Sequence, residues 1–128
     1  MNREILFKAK KKDNGEWVEG LPGYDMSGNI AEIETHKSFG DCRIYEIDPD
    51  TICQYTGLTD KNGEKIWEND IVRNEKGDIG VVQWFEEHAA FMIWNKTKHY
   101  VCYLAENDFS KIEIAGNEFD NPELLEVE

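Results

Sequence analysis

The stretch from Gln54 to Val72 constrains this chain more than any other. It reads as strand, tight turn, apolar anchor, second turn, strand. Thr51, Ile52 and Tyr55 lead in, β-branched and aromatic residues that suit a pleated, half-buried surface. Gly57 is expected to break that run. Asp60-Lys61-Asn62-Gly63 then turns the chain, since Asn-Gly is the strongest short hairpin signal and both residues accept positive φ. Ile66 and Trp67 follow as apolar anchors, and Glu68-Asn69-Asp70 makes a second polar turn before Ile71 and Val72 open the next strand. A tight turn beside an aromatic residue is how small barrels bend a sheet. The stretch shapes a fold and carries no evident chemistry.

These residues also carry a resemblance. Tyr55-Thr56-Gly57-Leu58 after Gln54, then Asp60 and Asn62-Gly63, then Ile66-Trp67 and Asp70-Ile71-Val72 resemble the signature of the YopX-like family of phage and prophage proteins. That family usually shows Tyr-Thr-Gly-Leu-x-Asp-x-Asn-Gly followed by a Gly-Asp-Ile-Val type ending. Asn69 stands here where Gly is commoner, and Trp67 where Tyr is common; Asn tolerates the left-handed backbone that such a turn needs. Arg3 to Ala9 is similar to the family's opening, and Ile114 to Asn117 with Asn121 to Leu125 to its close. The resemblance implies an SH3-like β-barrel region in a small phage protein, and it names no biochemical role.

A chain of 128 residues suits one domain, or one with a small appendage. At 40% hydrophobic and 12% aromatic residues it can bury a core. It has no apolar run of about 18 residues, and Phe7 is followed by Lys8, Lys10, Lys11 and Lys12 rather than a signal-peptide core. The expectation is a cytoplasmic protein, in the host cytoplasm if phage-encoded, with no membrane segment.

The net charge of −13 argues against direct nucleic-acid binding, which calls for a basic patch. The basic residues cluster at Arg3, Lys8, Lys10, Lys11 and Lys12. Acid gathers at the other end: Glu106, Asp108, Glu113, Glu118, Asp120, Glu123, Glu126 and Glu128, against Lys111. Three readings stand: a solvated, self-repelling surface; a basic start that meets the acidic end of another copy; or a mimic of nucleic-acid charge that blocks a host nucleic-acid-binding protein. RNA binding through the barrel has Lys76 and Lys96 to Lys98 to call on.

Catalytic motifs are missing. Ser27, Ser38 and Ser110 lie outside any Gly-x-Ser-x-Gly elbow, and no phosphate loop or dinucleotide fingerprint occurs. His36, His88 and His99 form no metal-ligand pattern, and His36 lies six residues before Cys42, too loose a spacing to signal a metal. Cys42, Cys53 and Cys102 suggest neither a disulfide framework nor a zinc site, and Cys53 and Cys102 read as core thiols. Trp17, Trp67, Trp84 and Trp94 read first as core, with Trp67 near a barrel rim as the other possibility.

Turn signals about ten residues apart predict a small all-β architecture. Ile5, Phe7 and Ala9 alternate inward, and Asp13-Asn14-Gly15 turns into Glu16 to Glu19. Gly20 to Gly23 reads as a break, Tyr24 to Ile33 as a second hairpin, and Thr35 to Asp41 as loop. Arg43 to Ile47 alternates with Ile44 and Tyr45 as the candidates for packing, and Asp48-Pro49-Asp50 turns. Ile79 to Phe85 reads as a central barrel strand. Phe91 to Trp94, Tyr100 to Leu104 and Lys111 to Ala115 are strands, Asn95 to Lys98 a turn, and Asn107 to Ser110 a helical turn. Asn121 caps a short helical turn at Pro122 to Leu125.

The fold class is therefore all-β, mainly β. Residues 1–48 form a β-rich N-terminal extension, 49–115 an SH3-like β-barrel and 116–128 an acidic C-terminal segment closed by a short helical turn. The expected function is that of a non-enzymatic phage accessory protein that binds another protein, or itself as a homo-oligomer. It uses no cofactor, metal or small-molecule ligand. The alternatives are the acidic mimic and a small enzyme, which would need a pocket with converging polar groups.

Overall fold

Gly15, Gly40, Gly63 and Gly77 all take positive φ where the chain reverses between strands. The computed structural model describes residues 4–95 and 100–125, so Arg3, Lys96, Lys98, His99, Glu126 and Glu128 lie outside the described residues. The fold is mainly β; its helical segments are 3-10 turns of three or four residues, and every described strand pairing is antiparallel. The chain divides into two compact units, one ending at Tyr55 and the other beginning at Thr56.

The first unit holds β1 (Phe7–Lys10), β2 (Trp17–Tyr24), β3 (Ile30–Ser38), β4 (Asp41–Glu46) and the start of β5 (Cys53–Thr59), in the order β4-β3-β2-β1-β5. A bridge from Lys11 to Ile47 brings the end of β4 back to β1. Ala9, Val18, Ile33 and Ile47 form the core, with Phe7, Tyr45 and Ile52 packed against it. A 3-10 turn at Pro49–Thr51 follows, where the Asp48 carboxylate accepts from the Asp50 N–H at 3.0 Å.

Four local expectations need correction in this unit. Gly20 to Gly23 is not a break, because β2 runs straight through it. The strand changes partner there, from β1 at Gly20 to β3 from Leu21 onward. Gly20 is required by the crossing: a Cβ would lie 2.1 Å from the Glu34 carbonyl oxygen. Past Gly20, β1 no longer flanks β2, so Pro22 lacks an N–H where one edge is unpaired.

Thr35 to Asp41 is likewise not a loop. Pairing continues to Ser38↔Asp41, and only Phe39 and Gly40 turn the chain. The segment lacks a visible period because His36, Lys37 and Ser38 are all exposed. On β4 the inward set is Tyr45 and Ile47, so Tyr45 packs as one of the two candidates while Ile44, 57% exposed, does not. Ile5, which precedes β1, is exposed as well.

In the second unit β5 continues through Gly57 at φ 90°, so the glycine bends the strand without ending it. Then come β6 (Lys65–Trp67), β7 (Asp70–Arg73), β8 (Ile79–Phe85), β9 (Ala90–Asn95), β10 (Tyr100–Tyr103) and β11 (Glu113–Asn117). Five of these form one sheet in the order β10-β9-β8-β7-β11. A four-strand meander, 3-10 turns at Leu104–Glu106 and Phe109–Lys111, and a last strand returning to the first make up this sheet, an order consistent with the expected SH3-like barrel. Ile66, Val72, Val82, Ile93, Leu104 and Ile112 form the core. Each fully buried side chain of this kind contributes about 1.5–3 kcal/mol. Pro122–Leu125 is a short 3-10 turn.

Candidate functional site

The signature residues go into the fold. Gln54 pairs across from Phe7, and the Tyr55 N–H donates to the Leu6 carbonyl at 2.9 Å. The Thr56 hydroxyl donates to the Ile66 carbonyl at 2.7 Å, and Leu58 packs on the second core. Asp60, 6% exposed, accepts from the N–H groups of Asn62 and Glu64 at 2.9 Å and, through its other oxygen, from Ile114 at 3.0 Å. One carboxylate thus shapes the turn and ties it to β11. Burial pushes the Asp60 carboxyl up, but these three backbone donors and nearby Lys61 outweigh it and hold it below its ordinary value. Only Gly63 of the Asn62-Gly63 pair takes positive φ, at 79°.

Asn69 sits at φ 72°, a left-handed conformation that asparagine tolerates better than most residues. The Asp70 carboxylate, buried, accepts from the Trp67 N–H at 2.8 Å. Ile66, Trp67, Ile71 and Val72 are all buried, which takes Trp67 away from any surface platform.

A surface arrangement appears instead on β8, β9 and β10. Register and alternation place Gln83 and Phe85 on one face with Met92 and Trp94, and with Val101 and Tyr103. The Trp94 indole N–H donates to Gln83 Oε1 at 2.6 Å, and Gln83 Nε2 donates to both Glu118 oxygens at 3.4 Å. Phe85 meets Trp94 edge to face at 6.2 Å and stacks on His88 at 6.3 Å between ring centres. His88, in the 3-10 turn joining β8 to β9, meets Tyr103 at 5.6 Å, with the Tyr103 hydroxyl 3.3 Å from its Nδ1. A continuous row results: Glu118, Gln83, Trp94, Phe85, His88, Tyr103. Tyr103 and Val101 are 38% and 52% exposed, and Glu86 and Glu87 stand exposed beside the row. Desolvation raises the Glu118 carboxyl above its ordinary value, with the Gln83 hydrogen bond acting against it. A half-buried carboxylate joined through Gln83 to the Trp94 indole favours a cation.

The basic start is already engaged. Lys8 and Lys10 lie over the Trp17 ring at 4.7 and 5.5 Å, Lys11 over Tyr45 at 4.3 Å, and Lys12 pairs with Glu46 at 3.2 Å. At the other end Glu113 pairs with Lys61 and Arg73. A depression of about 180 Å³ between Arg73, Asn74, Asp78 and Asn107 is smaller than a usual small-molecule site.

Sequence spacing missed two groupings. The aromatic row was hidden because Phe85, Trp94 and Tyr103 are far apart in sequence; matching the alternation of three neighbouring strands would have aligned them. The other lies on the β3–β4 hairpin. His36 and Cys42 sit directly opposite each other in register, and Glu34 lies two residues from His36 on the same face. One ligand atom from each falls within 4.8 Å of the others. The three cysteines are free, with Cys53 buried and Cys42 exposed. Among the described residues no helix is long and apolar enough to cross a membrane.

Comparison with known proteins adds a family and a fold. The family model described as YopX protein matches residues 6–126. The crystal structure of protein EF1440 from Enterococcus faecalis is similar to this chain, with a TM-score of 0.61 at 23% identity, covering 95% of this chain and 98% of that one. At that identity the likeness speaks to fold alone. A search of curated proteins found no match. The chain belongs to the YopX family.

Proposed function

With YopX membership as the premise, we propose that this chain is a non-enzymatic prophage accessory protein that binds another protein, and that its second unit receives a cationic segment of that partner. The observation that carries this reading is the row from Glu118 through Trp94 and Phe85 to His88 and Tyr103. A lysine or arginine laid along it meets ring faces and a carboxylate that is already partly desolvated. The exposed Glu86 and Glu87 and the net charge of −13 draw such a segment in. The engaged lysines of the first unit favour a partner other than a second copy. Asp60, held below its ordinary value, is occupied by three backbone donors, and Glu118, raised by desolvation, sits at the end of the row.

The acidic mimic is a special case of the same reading, in which the cationic segment belongs to a nucleic-acid-binding protein. The test is nuclear magnetic resonance shift mapping of the full chain with a short peptide carrying three arginines spaced by glycine and serine. Shifts centred on the Trp94 indole and on Phe85 and Tyr103, weakened about fivefold or more by Tyr103→Ala, are expected from the cation–π contribution. Shifts spread evenly over the acidic surface and unchanged by Tyr103→Ala would mean undirected charge attraction and would sink the reading.

A further inference from the structure

We propose that the β3–β4 hairpin is a zinc site, formed by Cys42 Sγ, His36 Nε2 and the Glu34 carboxylate, with a fourth position open to water or to a ligand from a partner. The basis is the register. His36↔Cys42 is a cross-strand pair, and Glu34 is its neighbour two residues along β3, so all three side chains leave the same face of the hairpin. This is the face opposite Ile33 and Thr35, which point into the core. His36 and Cys42 are exposed and Glu34 is half-buried, so an ion reaches them without opening the fold.

The distances need little adjustment. Cys42 Sγ stands 4.0 Å from His36 Nε2, and all three donor atoms lie within 4.8 Å of one another. Tetrahedral zinc, with Zn–S about 2.3 Å and Zn–N about 2.0 Å, sets sulfur and nitrogen roughly 3.5 Å apart. Closing that gap takes about half an ångström, within reach of side-chain rotation on an exposed hairpin.

Donor chemistry selects the metal. A thiolate and an imidazole with one carboxylate form a mixed soft and borderline set, which suits zinc and disfavours calcium and magnesium, whose sites are built of oxygen. Three protein ligands with an open fourth position is the arrangement of an accessible rather than a closed structural zinc site. On binding, Cys42 gives up its thiol proton to solvent and His36 coordinates as neutral imidazole. The ion would pin β3 to β4 next to the exposed Phe39 at the hairpin tip. The site is independent of the aromatic row on the second unit.

The experiment is a titration of the reduced full-length chain with zinc by calorimetry, and with cobalt by absorption spectroscopy. Binding of one ion per chain is expected, together with a near-ultraviolet thiolate-to-cobalt band and visible bands of tetrahedral intensity. Cys42→Ser should abolish the thiolate band and weaken zinc binding by about 100-fold or more, since even outer-shell changes cost about 10–100-fold. Glu34→Gln should weaken binding while leaving the thiolate band in place. Circular dichroism of each variant separates loss of a ligand from loss of the fold. Absence of stoichiometric binding overturns the proposal. So does binding that lacks a thiolate band, or that Cys42→Ser leaves intact, which would place the ion elsewhere.

Discussion

Replacing Asp60 should cost this protein more than replacing any other polar residue of the signature. Its two carboxylate oxygens hold three backbone N–H groups at 2.9 to 3.0 Å, two inside the turn and one on β11. A hydrogen bond to a charged group is worth about 1.5–3 kcal/mol net. Three of them, discounted for non-additivity and for the burial of the carboxylate, give about 3–5 kcal/mol for Asp60→Ala. Asp60→Asn keeps an acceptor for Asn62 and Glu64 but sets its amide N–H₂ against the Ile114 N–H, costing about 2–3 kcal/mol. Domains of this size are stable by about 5–15 kcal/mol, so the change is readily seen. The assay is urea denaturation, following the second unit through Trp84 and Trp94, with each transition fitted separately if the two units unfold apart. The pH dependence follows from linkage. The Asp60 carboxyl is held below its ordinary value of 3.8, so its contribution is present above the unfolded value and is lost as pH falls through the lower folded one. The gap between wild type and Asp60→Asn should be full at neutral pH and shrink in acid below about pH 4. A change under about 1 kcal/mol for Asp60→Ala, or a gap independent of pH, would refute the reasoning.

Asn69 at φ 72° accepts glycine more easily than a branched residue, so Asn69→Gly should leave stability within about 1 kcal/mol and Asn69→Val should lower it by about 1–2 kcal/mol, both read by thermal unfolding. Thr35 Oγ1 is buried without a hydrogen-bond partner among the described residues, so Thr35→Val should raise stability by about 1 kcal/mol; a loss in the same denaturant assay would show that the hydroxyl is satisfied. Glu118 is the opposite case to Asp60. Its folded pKa is raised, so the stability it permits is full below the unfolded value and declines as pH rises through the folded value. Glu118→Gln should therefore hold or raise the melting temperature at neutral pH, and that advantage should vanish in acid.

Turn chemistry was the most legible part of this fold. Asn14-Gly15 and Asn62-Gly63 both turn where their residues suggest, because glycine's access to positive φ is a property of the residue itself. The apolar run on β8 marked a strand because Gly80, Val81 and Val82 are buried in succession, whereas no period shows where both faces meet solvent. His36, Lys37 and Ser38 are strand residues only because β4 pairs with them, and no side-chain period records that. Gly20 and Pro22 look like a break but mark a change of partner, a property of three strands together. The candidate sites were hidden for the same reason. Cys42 faces His36 through a hairpin register, and Glu118 reaches Trp94 through Gln83 from beyond the last strand. Residue types were visible in the sequence, whereas cross-strand neighbours arise only once the sheets form.

The central claim is a division of labour: the signature holds the second unit together, and the row ending in Glu118 binds. Measuring stability and arginine-peptide affinity on the same two variants tests it directly. Asp60→Asn, assayed where it is fully folded, should lose about 2–3 kcal/mol of stability and keep its affinity. Glu118→Gln should keep its stability and lose affinity about fivefold or more. The reverse pattern, with affinity lost in folded Asp60→Asn and unchanged in Glu118→Gln, would contradict the account and move the binding site to the signature.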